Sequence, residues 1–426
     1  MRLLIIVDIY VPACTSGALQ MRDLVCEMRM QGHLPTVVVP APELPVPWRI
    51  DIVQGVDVLR VRTLQAKDVN KIQRVLAEWL LPYALLRGLR RSPLADIRWD
   101  GIVWYSPTIF LGPMVKALKR RWGCRGYLIL RDLFPDWAVD AGILRKGLIY
   151  RFFKRVERQQ YAVADVIGVQ TQANQPLVRA TSPAGSNIEV LNNWLAAPSV
   201  VETSIDLSSG PLAGRTLFAY AGNMGAAQGM DCLIDLAVRL RARTDAGFLF
   251  VGRGSEVPRL RARATEQELD NVQFIDEVDA DQIPALLAQC HVGLIALDPR
   301  HTTHNIPGKL LTYLHVGLPV LARINPGNDL ETLINEEGIG HVVAGDHPEE
   351  LFASGCGFAC ESGAKVMHGG GGPIFGTTDF FSGIGRPAGR KGIDRLVAAA
   401  CGSWMPKACS EGLTLVSYNL REFEHV

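Results

Sequence analysis

The stretch HNIPGKLLTYLHVGLPVLA, from His304 to Ala322, holds the residues with the clearest chemical use. A Pro-Gly turn, Pro307-Gly308, and a lysine, Lys309, stand at the mouth of a short apolar helix, and a strand that reads as buried follows Gly-Leu-Pro. A turn and a helix start leave backbone N–H groups unpaired, and Lys309 adds a full positive charge beside them. Such a mouth suits an anion. The plain alternative is a helix that only packs on a sheet, with Lys309 in solvent. The second chemical group is a carboxylate. Asp132 follows the apolar run GYLIL in RDLFPD, ahead of Pro135, where a strand end can face a ligand crevice. Asp132 could equally cap the helix that comes next.

Parallel strands buried on both faces would position these groups. Leu3 to Val7 is a continuous apolar run ending in Asp8, followed by the loop YVPACTSGALQ, the amphipathic stretch RDLVCEMRMQG and the apolar run TVVVP. That order is a βαβ unit, the start of a doubly wound sheet. It continues through VDVLRVRT, GIVWYS, GYLILRDLFP and ADVIGVQT. Gly17 lies in the first loop after a strand end and reads either as a ligand-loop residue or as a plain turn glycine. No G-x-G-x-x-G accompanies it, so a dinucleotide site is not indicated. After the linker-like AAPSVVETSIDLSSGPLAG the grammar restarts with TLFAYAGNMGAAQGMDCLIDLAVRL, FLFVGRGSE, NVQFIDEV and CHVGLIALD. Two open sheets in tandem make a cleft that can hold a ligand with two unlike ends.

At 426 residues the chain exceeds one ordinary core. The expected division is residues 1–200, residues 201–350 and a tail, 351–426. Formal net charge is only +1, but from Arg60 to Gln160 there are 21 Lys/Arg against 8 Asp/Glu. Within that basic region lie WLLPYALLRGLRRS, Trp79 to Ser92, and GLIYRFFKRVERQQYA, Gly147 to Ala162. In the latter Ile149, Phe152, Phe153 and Val156 recur at helical spacing beside Arg151, Lys154, Arg155 and Arg158. A cationic helix with aromatics suits an anionic membrane leaflet; alternatively its aromatics are core and its bases a solvated face. No RNA-binding motif accompanies the charge, so nucleic acid is not an expected partner. The apolar start MRLLIIVD is far short of the ~20 residues needed to span a bilayer, and the nine cysteines lack metal-type pairing. A reducing cytoplasm is the expected compartment.

In their order and spacing, the Gly17 loop, RDLFPDWAVDAG, ADVIGVQT, VLNNW, FAYAGNMGAAQGMD, FLFVGRGSE and NIPGKLLTYLHVGLPVLA resemble the GT-B glycosyltransferases of the large retaining family 4. The likeness covers residues 1–350 and lies in the branch similar to the fucosamine transferases of O-antigen and lipopolysaccharide assembly. It implies two Rossmann-like, doubly wound parallel-sheet domains facing a cleft, with a UDP-sugar on the second and a lipid-linked acceptor, polyprenyl diphosphate or lipid A-core, on the basic first. It implies no metal and no other cofactor, and a peripheral place on the inner leaflet. Gly222, Asn223 and Gly225 would approach the diphosphate, and Gly252, Arg253 and Gly254 would frame the base and ribose. His304, Asn305, Pro307 and Lys309 would complete the donor site, with Lys309 neutralising the leaving diphosphate. Ser16, Gly17 and Arg131 would line the acceptor side, and Asp132 would orient the acceptor or act as an auxiliary base.

Several positions depart from that family. Its two glutamates eight positions apart are represented by His304 and Thr312, and the usual cation after the second domain's first strand by Ala227 and Gln228. A sugar-nucleotide 2-epimerase and a non-catalytic carbohydrate-binding subunit therefore remain alternatives. After Phe352 the chain turns glycine-rich, including Gly369 to Gly372, and the family's charged closing helix is not legible. The expectation is a tail that is out of frame, or a flexible extension, with helical structure ending there.

Overall fold

Strict alternation along short apolar runs sends neighbouring side chains to opposite faces of a sheet, and both faces must then be covered. In β1 (Arg2–Ile6), Leu4 and Ile6 enter one core while Leu3 and Ile5 enter another. The computed structural model describes residues 1–366 other than 14, 67–68, 196–200 and 301–305. These residues form two compact units that divide between Trp194 and Leu195.

The first unit adds β2 (Leu34–Pro40), β3 (Trp48–Val53), β4 (Val56–Val61), β5 (Gly101–Ser106), β6 (Arg125–Leu130), β7 (Val166–Val169) and β8 (Asn187–Val190). The sheet order is β3-β4-β2-β1-β5-β6-β7-β8, parallel except for β3 against β4. Its helices are α1 (Ser16–Met30), α2 (Lys71–Arg91), α3 (Gly112–Trp122), α4 (Asp136–Asp140), α5 (Leu148–Val163) and α6 (Asn174–Thr181). Met21, Leu24 and Met28 of α1 seal one face; Leu81, Leu85 and Leu89 of α2 and Met114 and Leu118 of α3 seal the other.

The second unit is built from β9 (Thr216–Ala221), β10 (Ala246–Val251), β11 (Val272–Ile275), β12 (Val292–Ala296), β13 (Val320–Ile324) and β14 (Gly340–Ala344). All are parallel, in the order β11-β10-β9-β12-β13-β14. Helices α7 (Asp231–Arg239), α8 (Val257–Glu266), α9 (Ile283–Leu287), α10 (Lys309–His315), α11 (Asp329–Glu337) and α12 (Pro348–Val366) cross between strands or follow them. In each sheet the winding direction reverses beside the first strand, between β1 and β5 and between β9 and β12. Ligands of open α/β sheets bind at the carboxyl ends of strands at such a point.

One expectation needs correction. Helical structure does not end near Phe352; α12 continues to Val366. Leu351, Phe358 and Ala359 are buried in the core that α7 also fills, and the small Gly355 lets the helix approach Leu236. One apolar face is enough to hold a glycine-containing helix when the partner surface is already formed. Residues 367–426, the bulk of the expected tail, lie outside the described residues.

Candidate active site

The site in the second unit starts from a backbone lock at the carboxyl ends of β9 and β10. The Met224 N–H donates to the Arg253 carbonyl at 2.8 Å, and the Gly222 N–H donates to the Val251 carbonyl at 2.9 Å. The two loops come so close that a Cβ on Gly252 would stand 2.3 Å from the Gly222 oxygen, and one on Gly254 only 2.1 Å from the Met224 oxygen. Both glycines also have positive φ, +130° and +153°. A larger residue meets a clash and a strained backbone together. Gln228 closes the loop from below: its Oε1 accepts the Gly225 N–H at 2.9 Å and lies 3.4 Å from Asn223 Nδ2. Gln228 and its neighbour Ala227 stand in a single 3-10 turn, so the residue found in place of a family cation serves the loop.

Lys309 is the first residue of α10, and its side chain reaches back to this lock. Its Nζ sits 3.2 Å from the centre of the Tyr220 ring, and a Cβ on Gly222 would be 3.6 Å from Lys309 Cε and Nζ. Lys309 has no carboxylate partner among the described residues. Burial pushes its amine well below the ordinary lysine range. The ring face favours a cation electrostatically but carries no formal charge, so the amine still lacks a counter-ion. Helix α10 has only seven residues, so the charge here is that of the lysine more than of a helix dipole. Pro307 gives its carbonyl to the Leu310 N–H at 3.1 Å. His304 and Asn305 lie outside the described residues. The Arg253 side chain pairs with Glu277 at 3.2 Å, so this residue contributes its backbone to the lock and its charge to an exposed ion pair.

Two tyrosines were not among the residues singled out from sequence. Tyr220 supplies the ring under Lys309 and donates its hydroxyl to the Asn223 carbonyl at 2.8 Å. Tyr313, buried in α10, accepts the Ala221 N–H at 3.1 Å and donates to the Leu294 carbonyl at 3.0 Å, tying β9 to β12 at the winding reversal. The signal for Tyr220 was present in FAYAGN, where the tyrosine immediately precedes the loop; the signal for Tyr313 was only its place one turn after Lys309. A cavity of about 600 Å³ lies behind the loop, lined by α7 and by Arg259, Arg300 and Arg323. These arginines are paired with Asp231, Asp298 and Asp346, so the cavity offers no uncompensated cation comparable to Lys309.

In the first unit Asp132 follows β6 and is exposed. It does not cap α4, whose first turn is preceded by Pro135 with no side-chain cap. Although it touches solvent, the protein around it is dense enough to raise its carboxyl to about 6, with Arg131 pulling the other way. Arg131 is committed elsewhere: its Nη1 donates to the Leu191 carbonyl at 2.6 Å, its Nη2 to the Asn192 carbonyl at 3.3 Å, and its guanidinium lies 5.0 Å from the Trp194 ring centre. Ser16, exposed, opens α1 after the Thr15 cap, and Gly17 leaves room for Tyr105, whose hydroxyl would be 3.0 Å from a Cβ there. Gly17 therefore serves close packing in the first helical turn.

Two parallel-sheet units of this topology define the GT-B fold of glycosyltransferases. A family profile described as "Glycosyl transferases group 1" matches residues 215–356. Among curated proteins, the chain is 25% identical over 228 residues to "Probable glycosyltransferase WbjE" of Pseudomonas aeruginosa, covering 52% of this chain and 57% of that protein. It is 26% identical over 235 residues to "Putative colanic acid biosynthesis glycosyl transferase WcaI" of Escherichia coli K12, covering 53% and 58%. The chain thus spans less than two thirds of the length of these relatives. Among solved structures, WaaG, a glycosyltransferase involved in lipopolysaccharide biosynthesis, superposes with a TM-score of 0.61 at 15% identity, covering 89% of this chain and 96% of WaaG. Anabaena HepE, solved in complex with UDP and glucose, superposes with a TM-score of 0.60 at 14% identity, covering 89% and 95%.

Proposed function

We propose that this protein is a retaining glycosyltransferase. It moves a sugar, an N-acetylated deoxyhexosamine of the N-acetyl-fucosamine type, from UDP to a lipid-linked saccharide in lipopolysaccharide or O-antigen assembly, at the cytoplasmic face of the membrane. The observation that carries this reading is Lys309, an amine without a carboxylate partner among the described residues, held against a glycine-locked loop where the winding of a parallel sheet reverses. The profile match, the names of the two relatives and the UDP complexes of HepE support it.

In this reading the diphosphate lies along Gly222, Asn223 and Gly225 and supplies the counter-charge that Lys309 lacks, so Lys309 and not a bound metal neutralises it. The bond between the anomeric carbon and the diphosphate oxygen breaks, and an acceptor hydroxyl oxygen bonds to that carbon on the same face. Its proton passes to the leaving diphosphate, or to Asp132 as an auxiliary base. The sequence from near Phe352 onward is read as a departure from the coding frame. Translation of the neighbouring frames tests this, and failure to find an amphipathic Arg/Glu/Ala helix in either removes it.

The thermal midpoint of the purified chain with UDP, GDP, dTDP or no nucleotide tests the donor site. A ligand bound to the native state adds about 2.7 kcal/mol of stability at a hundredfold excess over its dissociation constant. A selective rise with UDP is expected. A well-folded sample that no nucleotide stabilises would replace this reading with the non-catalytic carbohydrate-binding one.

A further inference from the structure

Helix α2 is apolar on two opposite sides. Leu81, Leu85 and Leu89 face the sheet and are buried. On the far side Ile72, Val75, Leu76, Trp79, Leu80 and Tyr83 follow the i, i+3, i+4, i+7, i+8, i+11 spacing of a single stripe, and all six are exposed. Ile72 is 83% exposed, Trp79 52% and Tyr83 54%. The stripe runs for about 17 Å along the axis. A helix with apolar residues all round is expected only where something covers the outer side.

The same outer face continues from Tyr83 into Arg87 and Arg90, with Arg91 at its edge, all exposed and without a carboxylate partner among the described residues. The acid of this half of the helix, Glu78, points away from the stripe and pairs with Arg74 at 2.9 Å. An apolar stripe that includes an indole and a phenol, continued by arginines at one end of the same face, offers contact with acyl chains and with anionic head groups together. Helix α2 packs on α3, and α3 on α5. There the start of α5 also exposes Leu148, Ile149 and Phe152, near Arg145, Lys146, Arg151 and Arg155. Phe153 of α5 turns inward onto Ile109 and Phe110, and Val156 packs beside them, so α5 offers a shorter apolar face than α2. No helix of the described residues is long and apolar enough to cross a membrane, so the contact is one of lying on the surface.

We propose that the outer face of α2, from Ile72 to Arg91, is the surface by which this protein docks on an anionic lipid leaflet, with the start of α5 as a secondary contact. The proposal deepens the reading of an enzyme acting on a lipid-borne acceptor, but its test needs neither donor nor acceptor.

The full chain is floated with phosphatidylcholine vesicles, and with the same vesicles containing phosphatidylglycerol. Binding to the anionic vesicles is expected, weakened by salt. Trp79→Ser with Leu80→Ser should lower partitioning at least about tenfold while leaving the thermal midpoint and the UDP-induced shift in place. Replacing Arg87, Arg90 and Arg91 by Gln should remove the preference for phosphatidylglycerol. A folded wild type that ignores anionic vesicles overturns the proposal and leaves the donor-site reading standing, and the stripe is then a protein-docking face. Unchanged partitioning of the Trp79→Ser/Leu80→Ser variant, alongside loss in Ile149→Ser/Phe152→Ser, overturns it in favour of α5.

Discussion

At the end of β9 the chain is held by backbone: Met224 bonds to Arg253, Gly222 bonds to Val251, and two glycines are required because carbonyl oxygens occupy the space of any side chain. At the end of β6 the chain is held by a side chain, because the Arg131 guanidinium reaches the carbonyls of Leu191 and Asn192 and the ring of Trp194. Among the described residues each arrangement holds one charged group outside any ion pair: in the second unit the amine of Lys309, over the Tyr220 ring; in the first the carboxylate of Asp132, which feels Arg131 while that guanidinium donates to the carbonyls of Leu191 and Asn192. Under the proposed function the two arrangements take different roles. A glycine-locked backbone with an uncompensated amine suits phosphate, whereas an exposed carboxylate whose proton is held up to about 6 suits the handling of a hydroxyl.

The largest expected effect breaks the comparison on the cationic side. Lys309→Ala should lower turnover by about 10²–10³-fold, measured as release of UDP from the donor in the presence of acceptor. Its thermal midpoint should stay level or rise, because a partly buried amine with no carboxylate partner among the described residues is removed. Equal turnover in a folded variant takes Lys309 out of the site.

The carboxylate comes next. Asp132→Asn should reduce turnover by about 10²-fold, and the pH profile should show why. A base must be deprotonated, so the wild-type rate should climb with pH through about 6 and level off near neutrality, while the variant loses that limb. The stability sign runs the other way. The native carboxyl holds its proton more tightly than the unfolded chain does, so Asp132 lowers stability as pH rises from about 4 to about 6. The Asn variant should lack this decline. A limb near 6 that survives in Asp132→Asn belongs to another group.

What the sequence revealed follows the same division. The βαβ grammar, the restart after the linker and the glycines of GNMG and GRG were readable because backbone constraints leave marks in local residue types. The engagement of Arg131 was not readable, since its partners lie some sixty positions away on the far side of α5 and α6. Nor was the outward stripe of α2, because WLLPYALLRGLRRS shows apolar and basic residues together, and which of them face outward is decided only once Leu81, Leu85 and Leu89 fill the inner face. In α5 the alternatives left open by spacing divide between residues: Phe153 is core, while Ile149 and Phe152 face outward. Helix α12 was missed for a related reason, since glycine-rich composition hides the one apolar face that Leu351, Phe358 and Ala359 present.

The smallest effect sharpens the claim that hydrogen bonds to the backbone hold the loop beside Lys309 in shape. Tyr313→Phe keeps the ring in its core and removes only the hydroxyl that joins the Ala221 N–H to the Leu294 carbonyl. Both groups are left unpaired in a buried place, so stability should fall by about 1–3 kcal/mol. If β9 and β12 must stay in register for the Gly222 loop to meet nucleotide, the UDP-induced rise in thermal midpoint should shrink along with the baseline. If the baseline falls and the UDP increment is intact, the hydroxyl serves the core alone, and the lock between Gly222–Met224 and Gly252–Gly254 is sufficient to shape the loop.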